Sequence, residues 1–264
     1  MRFALLGGLA LGLALAHPAA AATGDPAPVK DMHWSFESPF GTYNRADLQH
    51  GFQVYKEVCS ACHSLNRVAF HTLSEEGGPG FTPAEMKAIA AGYKIPAEPN
   101  DKGETVDDKG ERLTRPGIPA DHFPAPFAND EAARAVNGGA LPPDLSLIIK
   151  ARAHGPQYVY SLLTGFDQKA PAGFKPTEGK YYNPYFPGWD IGMPPPLTDG
   201  QVTFVDGAPN KVADEAYAVV TFLAWASEPH LEARHRIGLG VMIFLIVLSG
   251  MLYLTYRRVW KDAH

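Results

Sequence analysis

Cysteine is almost absent: the 264-residue chain has two, Cys59 and Cys62. A disulfide framework of the kind that staples small exported domains is therefore excluded, as is a zinc site built from several thiolates. A surplus of positive charge is also missing, with 23 Lys and Arg against 28 Asp and Glu and a formal net charge of -5. A phosphate-binding surface needs the opposite balance, so no nucleic-acid partner is expected and a basic protein partner fits better. Hydrophobic residues at 45% suffice for a real core. Glycine (26) and proline (24) are plentiful. They crowd the stretches from Lys94 to Pro126 and from Ala170 to Pro196, where neither helix nor strand propagates easily, so long loops are expected.

Long apolar runs are few, and two of them matter. Residues 1–22 carry one basic side chain, Arg2, then an apolar stretch from Phe3 to Ala16 and a small-residue run from Ala19 to Ala22. This is the pattern of a secretory signal peptide, and the run is too short for a hydrocarbon core of about 30 Å. Ile237 to Tyr256 is a 20-residue stretch with no charged side chain, and as a helix it covers roughly 30 Å. Tyr253, Tyr256 and Trp260 gather at its end with Arg257, Arg258 and Lys261, as in an interfacial aromatic belt with a basic cytoplasmic flank. Arg234 and Arg236 flank the other end, so orientation rests mainly on the signal peptide. The expected organisation is a signal peptide over 1–22, an exported domain over 23–232, a transmembrane anchor over 233–256 and a cytoplasmic tail over 257–264.

Chemistry concentrates at Cys59-Ser60-Ala61-Cys62-His63, a C-x-x-C-H sequence. This is the attachment signature of a c-type haem: both thiols form thioethers and the imidazole ligates iron. Two cysteines three apart reach the two vinyl positions from one turn, which carries the adjacent histidine onto the iron axis. A thioredoxin-type redox pair and half of a zinc site use the same cysteine spacing, but the zinc reading lacks further ligands. With no third cysteine, one covalent haem is the limit, and haem packing must help to hold the domain.

A high-potential carrier usually pairs histidine with methionine. Met1 falls in the signal peptide and Met242 and Met251 in the span, leaving Met32, Met86 and Met193. Met193 sits in Gly188-Trp189-Asp190-Ile191-Gly192-Met193-Pro194-Pro195-Pro196, where glycine permits close approach to a flat ring and prolines stiffen the loop. Met86 lies in an apparent helix beginning near Pro83, where core packing is the commoner role. The residues alone leave a loop methionine without a ligand role, and iron held by two histidines or left open, as alternatives. Arg134, Asn137 and Arg152 are candidates for haem propionates. The acidic pairs Glu75-Glu76, Asp107-Asp108, Asp130-Glu131 and Asp214-Glu215 are candidates for a docking field, although solvated loops would read the same.

Taken together, the chain resembles the cytochrome c1 family, the haem subunit of the cytochrome bc1 complex, in its bacterial form. The resemblance runs from Trp34 to Trp260. It is carried by Trp34-Ser35-Phe36, the segment Cys59 to Leu65, Asn137-Gly138-Gly139-Ala140-Leu141-Pro142-Pro143-Asp144-Leu145-Ser146, Tyr160 to Gly165, Tyr182 to Gly188, Ile191 to Pro196, and Thr221 to Pro229. It implies a haem c held by Cys59 and Cys62, with His63 and Met193 as iron ligands and Asn137, Arg152 and Tyr158 beside the haem, Arg152 near a propionate. It further implies that a Rieske iron-sulfur protein reduces this haem after quinol oxidation at cytochrome b. The electron then leaves for a soluble or membrane-bound cytochrome c, within a dimeric complex on the periplasmic side of the inner membrane. Some bacterial relatives carry an extra disulfide beside the methionine loop. This chain has no cysteines for one, so packing around Trp189 and the prolines is expected to hold that loop.

The expected fold is mainly α, a class I-like cytochrome c domain with long loop insertions plus one C-terminal transmembrane helix. Helices are expected near Asn44–Val58, Thr82–Gly92, Asp144–Ala151, Tyr158–Leu163 and Ala213–Trp225. One-electron transfer needs no acid or base, so no catalytic residue is expected and the chain alone is not an enzyme. Two other functions fit parts of the pattern. A membrane-anchored cytochrome c donating to a terminal oxidase or reductase needs only C-x-x-C-H and the anchor, and an exported haem sensor or peroxidase would keep the sixth position open.

Overall fold

The computed structural model describes residues 24–262, so the segment read as a signal peptide lies outside the described residues. The elements are mainly helical: α1 (Arg45–Glu57), α2 (Pro83–Ala91), α3 (Asp130–Val136), α4 (Gly155–Leu163), α5 (Val212–Ser227) and α6 (Leu231–Val259). Two antiparallel strand pairs interrupt the loops, β1 (Lys94–Pro96) with β2 (Thr114–Pro116) and β3 (Tyr181–Tyr182) with β4 (Asp190–Ile191).

The centre of the domain is the crossing of α1 and α5. On α1, Leu48, Phe52 and Tyr55 recur at the helical period with Gly51 and Val54 beside them, and all five are buried. Gly51 is there for contact: a Cβ at that position would come within 2.0 Å of the Ala218 carbonyl oxygen, so the two backbones touch. Phe222 of α5 packs at 5.7 Å from Phe52 and 5.9 Å from Tyr55. Helix starts follow the sequence: Asn44 caps α1 by accepting from Ala46 N, and Thr82 with Glu85 forms a reciprocal capping box ahead of Pro83. Met86 of α2 is buried among core side chains, in keeping with a packing role.

Four of the five expected domain helices form within a few residues of their expected limits. The segment Asp144–Ala151 is instead a run of turns. Its backbone and polar side chains bond outward: Leu145 N donates to Ser64 O at 2.9 Å, and the Ser146 hydroxyl accepts from Arg67 N at 3.1 Å. Conversely, α3 forms where only an acidic pair stood out, started by Asn129, whose side chain accepts from Ala132 N. The acidic pairs also diverge. Glu76 is tied to Arg236 at 2.8 Å, and Glu215 is fully buried, so Glu215 belongs to no surface field.

α6 is long and apolar enough to cross a membrane, with a mean hydropathy of 2.5 in its most apolar window and none of that window buried. Its first turns are clamped to the domain: Arg45 meets Glu232 at 2.6 Å, and Glu228 takes both Lys150 (3.0 Å) and Arg234 (2.5 Å).

Candidate functional site

α1 delivers the chain into a single 3-10 turn, Cys59–Ala61. Cys62 N and His63 N both donate to Cys59 O, at 3.1 and 2.9 Å, so one tight turn carries both sulfurs and the imidazole. Cys59 is half-buried against the core and Cys62 is exposed. Burial, with the neighbouring Cys62, pushes the Cys59 thiol up to about 12.

The imidazole of His63 is oriented from far along the chain. Its Nδ1 lies 2.8 Å from the Pro143 carbonyl oxygen. A carbonyl only accepts, so Nδ1 carries the proton and Nε2 keeps its lone pair for a metal. Burial holds the ring neutral by lowering its pKa, against an opposite pull from Pro143 and Asp144.

The loop that supplies Pro143 is stapled beside this turn. The Asp144 carboxylate accepts from Ser64 Oγ and Asn66 N, both at 2.8 Å, and from Ser146 N at 2.9 Å. Its burial alone would raise the pKa, but hydrogen bonds from Asn66, Ser146 and Ser64 outweigh it and leave the carboxyl below its ordinary range. Further back in the same loop, Ala140 meets the methionine segment: a Cβ on Gly192 would come within 2.8 Å of the Ala140 Cβ. The β3–β4 pair buries Ile191 and delivers Met193, half-buried, two residues later.

Trp189 turns the chain just before β4 with φ +61°, in the left-handed region that non-glycine residues rarely adopt. Its Nε1 donates to Asp25 O at 3.0 Å, and its ring stands 5.7 Å from Phe174 and 6.2 Å from Tyr182. That aromatic group, rather than a disulfide, is what the loop packs on.

Three further candidates divide. Asn137 caps the end of α3, its Nδ2 donating to Ala133 O at 2.7 Å, and opens the loop that leads to Pro143. The Arg152 guanidinium donates to Ala151 O at 3.1 Å, and burial raises the Tyr158 hydroxyl pKa while the charge of Arg152 opposes the rise. No hydrogen bond among the described residues joins either residue to the Cys59–His63 turn. Pro143 and Asp144 were not among the candidate site residues. They lie 80 positions from their partners, and no local signal marks such a contact.

Two thiols on one turn, a neutral imidazole with Nε2 available, and a thioether on an adjoining loop where glycine allows close approach make a donor set that fits a c-type haem. The comparisons with known proteins agree. The cytochrome c1 family model matches residues 34–263. A cytochrome c1 from Rhodospirillum rubrum is 46% identical over 245 residues, covering 87% of this chain and 86% of the relative. One from Blastochloris viridis is 39% identical over 282 residues, covering 100% and 97%. A Bradyrhizobium diazoefficiens protein described as cytochrome b/c1 is 49% identical over 249 residues, which is 88% of this chain but 35% of that longer protein. On a family match spanning nearly the whole described domain and its apolar helix, the chain belongs to the cytochrome c1 family, electron-transport haem proteins of a membrane complex.

Proposed function

We propose that this chain is the one-electron relay of a quinol:cytochrome c oxidoreductase, carrying one covalent haem c between a Rieske iron-sulfur protein and a cytochrome c acceptor. The observation that carries the reading is the His63 Nδ1 to Pro143 hydrogen bond of 2.8 Å, which reserves Nε2 for iron. In this reading Cys59 and Cys62 are the thioether positions, His63 and Met193 are the axial ligands, and Asn137, Arg152 and Tyr158 lie at the haem edge.

When bound, the haem supplies a ferric/ferrous couple, and the protein contributes ligation, burial and docking. Pro143 fixes the imidazole tautomer and plane. The Ala140–Gly192 contact and the Trp189 packing restrain Met193, whose sulfur would favour the reduced state and so a high potential. No side chain has to move a proton.

Export through residues 1–22 would place 23–232 in the periplasm, with α6 as a single-pass anchor in the inner membrane and 257–264 inside. The name of the Bradyrhizobium relative joins cytochrome b to c1, which supports cytochrome b as the neighbouring subunit. A dimeric complex follows from the family reading. The test is to purify the chain with its associated subunits and add a reduced quinol. Reduction of the c-type α-band, followed by reoxidation on adding an oxidised cytochrome c, is expected. A haem that quinol cannot reduce in the intact complex would overturn the relay.

A further inference from the structure

The loop between Trp34 and Tyr43 is closed on itself. Gly41 N donates to Ser38 O at 2.8 Å, Thr42 N to Ser35 O at 3.2 Å, and Ser35 Oγ to Thr42 O at 2.8 Å. Gly41 is so close to the chain opposite that a Cβ would come within 2.7 Å of Ser35 O. The two phenylalanines of this loop have opposite fates. Phe36 is buried against Tyr43 at 5.1 Å, whereas Phe40 at the tip is 70% exposed.

Single exposed aromatics are common and need no explanation. The position of this one does. Phe40 and Pro39 share a shallow groove with Leu239 and Met242 of α6, and Arg234 and His235 stand at its upper end. His235 Nδ1 lies 3.2 Å from Gly41 O, which fixes the loop's height on the helix. Phe40 therefore rides level with the first turns of the uncharged run that starts at Ile237. The charged residues Glu232, Arg234 and Arg236 all lie on the domain side of it. Gly238 lines the same groove and is open, with nothing within 4 Å of a Cβ built on it.

We propose that Phe40, with Pro39, enters the outer interface of the lipid bilayer as a second membrane contact beside α6. The inference rests on the reading that α6 crosses the membrane. An aromatic ring at the headgroup level, on a loop too tightly bonded to fold away, would fix the tilt of the domain over the bilayer. One helix alone leaves that tilt free. The bilayer is favoured over a protein partner because the loop's exposed apolar surface is confined to the one level at which the span begins.

The test uses the haem-loaded full chain with its associated subunits in phosphatidylcholine nanodiscs, haem reduced. Nitroxide spin labels are placed in three separate variants: F40C, V205C on a fully exposed loop and F244C within α6. With Cys59 and Cys62 held as thioethers, the introduced thiol is the one free thiol of this chain, the unsubstituted complex treated in parallel gives the background from the other subunits, and the haem α-band checks that each variant is folded. The F40C label should collide more with oxygen than with a water-soluble nickel chelate, and V205C should show the reverse. If F40C behaves as V205C does while F244C is shielded from nickel, the proposal falls and the span stands. Exclusion of both reagents at F40C means that polypeptide covers the site, which also overturns the proposal. If F244C is as nickel-accessible as V205C, the span itself fails and the proposal with it.

Discussion

His63 and Pro143, 80 residues apart, meet at 2.8 Å between the imidazole Nδ1 and the carbonyl oxygen. The proline loop therefore sets the tautomer of the C-x-x-C-H histidine, and the Asp144 carboxylate beside it locks the loop through Ser64, Asn66 and Ser146.

Removing that lock should be costly. D144A leaves three donors without their acceptor, and a loss of about 2 kcal/mol or more is expected in chemical unfolding of the haem-loaded domain. The sign with pH follows from the depressed carboxyl. Its stabilisation is complete above the ordinary carboxylate range and is lost as pH falls through the lower folded-state value. The gap between the native chain and D144A should therefore narrow in acid, and a gap that widened would contradict this account.

Gly51 makes a second prediction, on packing. A methyl at that position has to displace the Ala218 carbonyl that a Cβ would approach within 2.0 Å. G51A should separate α1 from α5 and cost about 2 kcal/mol or more, read as a lowered Tm. G240A, at an open position of α6, is the control that should leave Tm unchanged.

Glu215 titrates in the opposite direction to Asp144. Its Oε1 accepts from Val202 N at 2.9 Å, while Oε2 has no partner. Burial raises its pKa, Val202 opposes, and the nearby Asp199, Asp214 and Glu57 reinforce the rise. A raised folded-state value means stability that is full below the ordinary carboxylate range and is lost as pH rises through the folded pKa. E215Q cannot ionise, so it should unfold at higher denaturant than the native chain at pH 8 and at the same denaturant at pH 4. Equal midpoints at both pH values would show that folding does not raise the Glu215 pKa, and would contradict this account.

Local signals were legible in the sequence. Pro83 marked the start of α2, and the uncharged run from Ile237 located α6. Cys59, Cys62 and His63 needed only their spacing. What was hidden is whatever depends on partners distant in the chain. Asp144–Ala151 reads as a capped helix start, yet its donors and acceptors are claimed by Ser64 and Arg67, and it forms turns. The acidic pair Asp214-Glu215 reads as surface, but Glu215 sits four residues into α5 on the buried side and accepts from Val202. The brevity of α3 left its periodicity too weak to see against the cap at Asn129.

The central claim is that the Cys59–His63 turn and the Met193 loop hold one haem c between them. A redox titration of the purified protein, followed at the c-type α-band for the native chain and M193L, tests it most directly. Axial ligation moves haem potentials over a range of about 0.8 V, so loss of the methionine sulfur should lower the midpoint on the order of 0.1 V or more. The reduced M193L protein should also bind carbon monoxide, which the native chain should resist. A c-type band whose midpoint is unchanged in M193L would contradict His63/Met193 ligation, and with it the relay built on that pair.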